Sequence, residues 1–315
     1  MNTLNDRAIE WLEVALSDAE YMQIEQVESE TGATIVDFGV NVPGGLTAGI
    51  ALAEICMANC GTVSIARSNL PSVGLTSVQV TTDRPALACM ASQYAGWPLQ
   101  VEDYFAMCSG PMRLNRGQEP VLEKYFADYG NRKVIGVLES DNLPSDAAVR
   151  QIARECSVET FEVSLCIAPT KSIAGMIQIV ARSVEATMHK LFELNFDLNK
   201  VQRAWGIAPL PPPSSDSLQA IGRTNDAILY GGQIELWLDA DDAELKMLGQ
   251  QLPSQSSKDY GKPFKQIFAE YDSDFYAIDK MLFSAAEITL NSLQSGQQVT
   301  VGEVRTDILE QSFGS

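Results

Sequence analysis

The strongest constraint on the fold is an alternation of element types between residues 132 and 194. The run Val134-Ile-Gly-Val-Leu138 is apolar throughout, as in a strand buried on both faces. Pro144 then precedes a stretch that reads as a helix over 145–156. A strand is predicted over 158–167, where Val158, Thr160 and Glu162 alternate with Glu159, Phe161 and Val163. Pro169 interrupts the chain, and one long helix is predicted over 171–194. Its core stripe is Ile173, Ile177, Val180, Val184, Met188 and Leu191, spaced by three and four. A β-α-β-α order of this kind points to an α/β or α+β arrangement.

The N-terminal part reads similarly. Leu4, Ile9, Leu12, Leu16 and Ala19 form one stripe of a helix over 4–22. A strand pair around Thr31-Gly32 brings in Thr34 to Phe38. The Asn41-Val-Pro-Gly-Gly45 stretch is a turn, because proline presets φ and glycine permits positive φ. A helix over 46–60 and strands over 62–66 and 74–82 follow. Pro209, Pro211, Pro212 and Pro213 with Ser214, Ser215 and Ser217 form a stiff polar connector, and 252–258 is a second loop of similar composition. There is no internal repeat. At 315 residues the chain is long enough for two domains, one of which can draw on both chain ends.

Composition removes several functions. Twenty-two basic against 41 acidic residues give a net charge of −19, which repels a phosphate backbone and an anionic membrane. Neither nucleic acid nor membrane is an expected partner. His189 is the single histidine, so multi-histidine zinc or iron sites are impossible within one chain, and no metal is expected. The six cysteines show no CxxC spacing, and residues 1–7 contain no apolar stretch of a secretory segment. Reduced, mostly buried cysteines in a cytoplasmic protein are the expectation. No run approaches 18 apolar residues.

Three features can carry chemistry. Arg182 and Glu185 are three apart in the predicted helix, with Gln178 four residues before Arg182 and His189 four residues after Glu185. Most pairs at this spacing are surface ion pairs worth a few tenths of a kcal/mol, and that is the ordinary reading. Lodged in a cleft, the glutamate becomes a general base toward water. The turn at 39–49 joins a strand to a helix whose N-terminal amides can cradle an anion, although it lacks the P-loop and G-x-G-x-x-G patterns. Ser109-Gly-Pro-Met-Arg113 and Gly222-Arg-Thr-Asn-Asp226 read as compact polar loops, each with an arginine suited to an anion. Lys258-Asp-Tyr-Gly-Lys-Pro-Phe264 is similar. Each fits a solvated turn equally well.

In combination, several stretches resemble the methenyltetrahydromethanopterin cyclohydrolase family. They are Val40-Asn-Val-Pro-Gly-Gly45, Ile167-Ala-Pro-Thr-Lys-Ser-Ile-Ala-Gly175, Ala181-Arg-Ser-Val-Glu185, Gly222-Arg-Thr-Asn-Asp-Ala227, Asp259-Tyr-Gly-Lys-Pro-Phe264, Tyr271-Asp-Ser-Asp-Phe-Tyr276 and Met281-Leu-Phe-Ser284. They follow the family's order from about 39 to 285. Lys171 departs from the smaller polar residue expected there. The resemblance implies a hydrolase of one-carbon metabolism that adds water to the methenyl bridge of a tetrahydropterin and opens it to the formyl derivative. That cationic carbon is already electrophilic, so neither metal nor cofactor is expected.

The resemblance makes Glu185 the base and Arg182 its partner. It implies an anionic pterin tail met by Arg113, Arg223 or Lys258, a pterin stacked on Phe283, and further substrate contacts at Asn41, Gly44, Gly110, Ser172, Asn225 and Asp226. It also implies an α+β fold of two subdomains with the substrate cleft between them, and a homo-oligomer, a trimer in archaeal members. The subdomains are expected at 1–100 with about 275–315, and at 101–274. A non-catalytic pterin-binding protein, or another pterin one-carbon enzyme on the same scaffold, is the competing expectation.

Overall fold

The structure, a computed structural model, describes residues 3–70, 72–127, 130–272 and 274–314. The chain starts with helices α1 (Leu4–Ser17) and α2 (Ala19–Met22), strands β1 (Glu25–Val27) and β2 (Thr34–Asp37), and α3 (Leu46–Cys56). Strands β3 (Thr62–Arg67) and β4 (Thr76–Thr82) lead into a π-helix, Ala86–Gln93. Next come β5 (Trp97–Val101), β6 (Tyr104–Ser109), α4 (Met112–Arg116), α5 (Pro120–Tyr125), β7 (Val134–Glu139), α6 (Asp146–Cys156) and β8 (Val163–Ala168). Helices α7 (Ile173–Val180) and α8 (Ser183–Glu193) precede β9 (Val201–Pro209), α9 (Ser217–Leu229), β10 (Gln233–Leu238) and α10 (Asp242–Gln251). The chain continues through α11 (Phe264–Glu270), β11 (Glu287–Ser292), β12 (Gln298–Gly302) and α12 (Thr306–Gly314).

This is an α+β fold with two six-stranded mixed sheets. Two compact units each take two stretches of chain: Met1–Gly61 with Leu87–Gln178, and Thr62–Ala86 with Ile179–Ser315. The grouping differs from the expected 1–100 with 275–315 and 101–274. Hydrogen bonding is the reason, since β4 pairs with β9 and draws 62–86 into the second unit.

The first unit's sheet has the order β1-β2-β8-β7-β6-β5, and its middle strands β2, β8 and β7 run parallel. A parallel strand needs both faces covered, and β7 is buried over its first five residues. Helix α6 joins β7 to β8 and packs Ala148, Val149, Ile152 and Ala153 into a core with Trp97, Leu99, Leu138 and Leu165. The predicted strand 158–167 begins later than expected. Glu159 and Glu162 close a capping box over a 3-10 turn at Thr160–Glu162, and the strand starts at Val163. Helix α3 likewise ends at Cys56 rather than 60, because Ala58 and Asn59 both take positive φ.

The second unit's sheet runs β12-β11-β10-β9-β4-β3, antiparallel except between β10 and β11. Helix α8 packs on this sheet, and a glycine lets it come close. A Cβ at Gly206 of β9 would lie 2.8 Å from Val184 Cγ2 and 3.0 Å from Ser183 Oγ. The helix expected over 171–194 is in fact two. The Arg182 amide bonds Ile179 O at 2.9 Å, an i to i+3 turn, and α8 starts afresh at Ser183.

Candidate active site

That break decides the setting of Arg182 and Glu185. Arg182 is the N-cap residue of α8, and Glu185 lies in its first turn. The first amides of a helix have no intrahelical acceptor, and their dipoles favour a negative charge at this end. Arg182 Nη1 lies 3.8 Å from Glu185 Oε2. The residues are only 8% and 6% exposed, so this is a buried pair and not the solvated surface pair that the spacing also allowed. His189, one turn on, lies 3.6 Å from Glu193. Gln178 belongs to the first unit, where its amide approaches Cys56 Sγ at 3.6 Å.

The second unit also holds Arg223, Asn225, Asp226, Lys258 and Phe283. The expected loop at Gly222–Asp226 is helical: Asp216 caps Leu218 N at 2.9 Å and starts α9, which includes all five residues. Arg223 is buried and donates to the carbonyls of Ser312, Phe313, Pro212 and Pro213 at 3.1–3.3 Å. It binds the chain's own C-terminal helix and proline loop, so it is not an exposed grip for an anion. Asn225 bonds back to Ile221 O at 2.9 Å. Asp226 is fully buried and accepts Phe264 N at 2.8 Å. Burial pushes its carboxyl up to about 7, against the Ser312 hydroxyl and the Phe264 amide. Lys258 is exposed. Phe283 is half-buried and stacks on Phe275 with centroids 4.7 Å apart.

The first unit holds Asn41, Gly44, Gly110, Arg113 and Ser172. Three amides at the start of the turn are already used: Gly39, Val40 and Asn41 donate to the buried Asp37 carboxylate at 2.6–2.8 Å. The anion cradled there is the protein's own. Gly44 has φ +59, and a Cβ would meet Phe38 O at 2.2 Å, so only glycine fits. Ser172 caps α7, donating to Pro169 O and accepting Gly175 N. This turn and Ser172 are neighbours, since a Cβ at Gly39 would lie 2.7 Å from Ser172 Oγ. Gly110 packs on β7, 3.2 Å from Gly136 Cα by the same measure. Arg113 is fully buried. It pairs with Glu119, its Nε at 2.8 Å, donates to Met90 O and Ser92 O, and stacks over Tyr94. Its donors are engaged inside the unit, and the expected role on a substrate tail does not suit it.

The profile of the family described as Cyclohydrolase (MCH) matches residues 3–313. The chain belongs to this cyclohydrolase family. It is 45% identical over 288 residues to the methenyltetrahydromethanopterin cyclohydrolase of Rhodopirellula baltica, which covers 90% of this chain and 86% of that protein. The protein of the same name from Methanococcoides burtonii is 40% identical over 317 residues, 100% of this chain and 99% of its own. That from Methylobacterium sp. strain 4-46 is 40% identical over 316 residues, 99% of this chain and 97% of its own.

Membership accounts for the stretches that carried the resemblance. Of these, Ser273 lies outside the described residues, and Lys171 forms an exposed pair with Asp141 at 3.3 Å. Among the described residues of this cyclohydrolase no three His, Cys, Asp or Glu side chains are grouped to hold a metal ion, and no helix is long and apolar enough to cross a membrane. No disulfide joins the six cysteines, five of which are buried. Burial raises the Cys108, Cys156 and Cys166 thiols, Cys156 to about 12, which keeps them protonated.

One buried charge escaped the sequence reading. Lys190, on α8, is fully buried. Its ammonium donates to Pro253 O at 2.7 Å, Ser256 Oγ at 2.9 Å and Met281 O. Burial pulls it down to about 7, and Asp279 opposes that. The Ser256 hydroxyl gives its proton to Gln251 O, so all three partners of Lys190 accept, and three N–H donors satisfy them.

Proposed function

We propose that this chain is a methenyltetrahydromethanopterin cyclohydrolase, with Glu185 as the base toward water and Arg182 as its orienting partner. The observation that carries the assignment is the buried Arg182–Glu185 pair at the start of α8 in a chain of this family. The methenyl carbon lies between two nitrogens of a cationic amidinium and needs only a nucleophile. Glu185 accepts a proton as the water oxygen bonds to that carbon. The tetrahedral adduct then loses its hydroxyl proton, the carbon–nitrogen bond breaks toward nitrogen, and that nitrogen is protonated. One water is consumed, one formyl group is formed and one proton is released. Arg182 holds the carboxylate in place.

No cofactor takes part in this scheme, because the substrate brings its own positive charge. Lys258, the one exposed cation among the three expected at an anionic tail, remains suited to that role. A cytoplasmic homo-oligomer is the accompanying reading; it rests on family likeness and on composition.

The test is decay of the methenyl absorbance on adding protein without NAD, ATP or metal. Turnover is expected for the wild type, and Glu185→Gln is expected to lose at least ~10²-fold in kcat with the fold retained. A spectral shift without decay would instead identify a binder. Near-wild-type turnover by the variant would remove Glu185 from the mechanism.

A further inference from the structure

One face of α8 is laced to the segment at 280–285. Thr187, Lys190 and Glu193 follow each other at intervals of three and so lie along one side of the helix. Thr187 Oγ1 accepts from Ser284 Oγ and Ala285 N, both at 3.3 Å, and donates to Ser183 O at 3.4 Å. Lys190 takes Met281 O, and Glu193 takes Lys280 Nζ at 3.1 Å. The segment therefore runs antiparallel to α8, and its bonds reach the backbone of Ser183, which lies between Arg182 and Glu185 in the chain.

Lys190 is the centre of this lacing, because it also ties down the loop at 253–256. That loop and the 280–285 segment are joined again through Asp279, which accepts from Ser257 Oγ, Lys258 N and Met281 N. Two candidate substrate residues, Lys258 and Phe283, thus stand on backbone that converges on one ammonium group. A buried lysine is costly, and a hydrophobic side chain of similar volume would fill the space at lower cost. A methionine there would pack, but it could not bond three acceptors on two separate loops.

We propose that Lys190 is a positioning residue for the hydration step, pinning the loops that carry Lys258 and Phe283 to the helix that carries Glu185. This rests on the assignment of Glu185 above, and it goes beyond it by joining the reacting end of α8 to the loops beside it. Held together, these groups keep the base and the bound pterin in register. Released, the loops shift relative to the first turn of α8, and misplacement of even ~1 Å costs up to about a hundredfold in rate.

The experiment measures kcat for Lys190→Met in the wild-type and in the Glu185→Gln background, with circular dichroism and thermal melting as controls for folding. Folded Lys190→Met is expected to lose at least tenfold in kcat, and less than threefold when Glu185 is already Gln. A purely structural role would give equal factors in both backgrounds, and that result would overturn the proposal, as would a folded Lys190→Met within threefold of wild type. If Lys190→Met does not fold, Ser256→Ala removes one of the three acceptors at the loop surface and is expected to lower kcat several-fold; an unchanged kcat there would show that the lysine only holds the fold. Activity persisting in Glu185→Gln alone refutes the base assignment separately.

Discussion

Asp226 gives the sharpest test of the energetics of the second unit. Its carboxyl is fully buried, receives the Phe264 amide, and stands at about 7 instead of the ordinary 3.8. The folded state thus holds a proton that the unfolded state has released. Stability from this group is complete below pH 3.8 and is lost as pH rises through about 7. At about 1.4 kcal/mol per pH unit the full span is about 4 kcal/mol, of which about 3 kcal/mol falls between pH 5 and pH 8. Asp226→Asn keeps an acceptor for the Phe264 amide and carries no charge at any pH. Urea unfolding of both proteins, followed by circular dichroism at several pH values, isolates the effect as the difference between them. The variant is expected to gain on the wild type by about 3 kcal/mol from pH 5 to pH 8. A difference that stays flat, or that moves the other way, refutes the account of Asp226 as a proton-holding interior acid.

Three further outcomes are expected. Arg113→Met leaves the buried Glu119 carboxylate without its partner and should cost about 3–5 kcal/mol, read as a lowered melting temperature. Gly206→Ala places a methyl 2.7 Å from Ile234 Cδ1 and 2.8 Å from Val184 Cγ2, so the side chains packed between β9 and the start of α8 must shift; the expected cost is about 1–3 kcal/mol with a loss of kcat, and a variant with wild-type kcat would show that the helix start tolerates the added methyl. Thr3→Ala removes the side-chain cap on Asp6 N and half of a capping box, at a cost of about 1 kcal/mol in urea unfolding.

The sequence was most informative where local pattern and tertiary setting agree. The apolar run of β7, the helix after Pro144 and the first residues of α3 are all where spacing and proline place them. It was least informative where distant chain decides. The stripe from Ile173 to Leu191 reads as one helix, and only the close approach at Gly206 and the turn at Ile179 reveal two. Arg113 and Arg223 look alike beside their glycines, yet their acceptors come from Glu119, Ser92 and the C-terminal carbonyls, which no short-range pattern links to them. Lys190 was passed over because lysine is ordinarily a surface residue. For the candidate site the helical spacing yielded Arg182 and Glu185 as neighbours and the family resemblance their roles, while their burial could be seen only after folding.

The chain passes from one unit to the other three times, at Gly61/Thr62, Ala86/Leu87 and Gln178/Ile179. During synthesis the β3–β4 hairpin therefore emerges early and leaves β4's outer edge without the strand it is meant to join, since Thr82 pairs with Ala204. At ribosomal speeds of roughly 5–20 residues per second the wait is on the order of ten seconds. Throughout that interval the edge of β4 waits for β9 while the first unit's second stretch, 87–178, is still being made. An open strand edge of this kind can template pairing with another chain, so covering it during synthesis is expected to raise the yield of native protein.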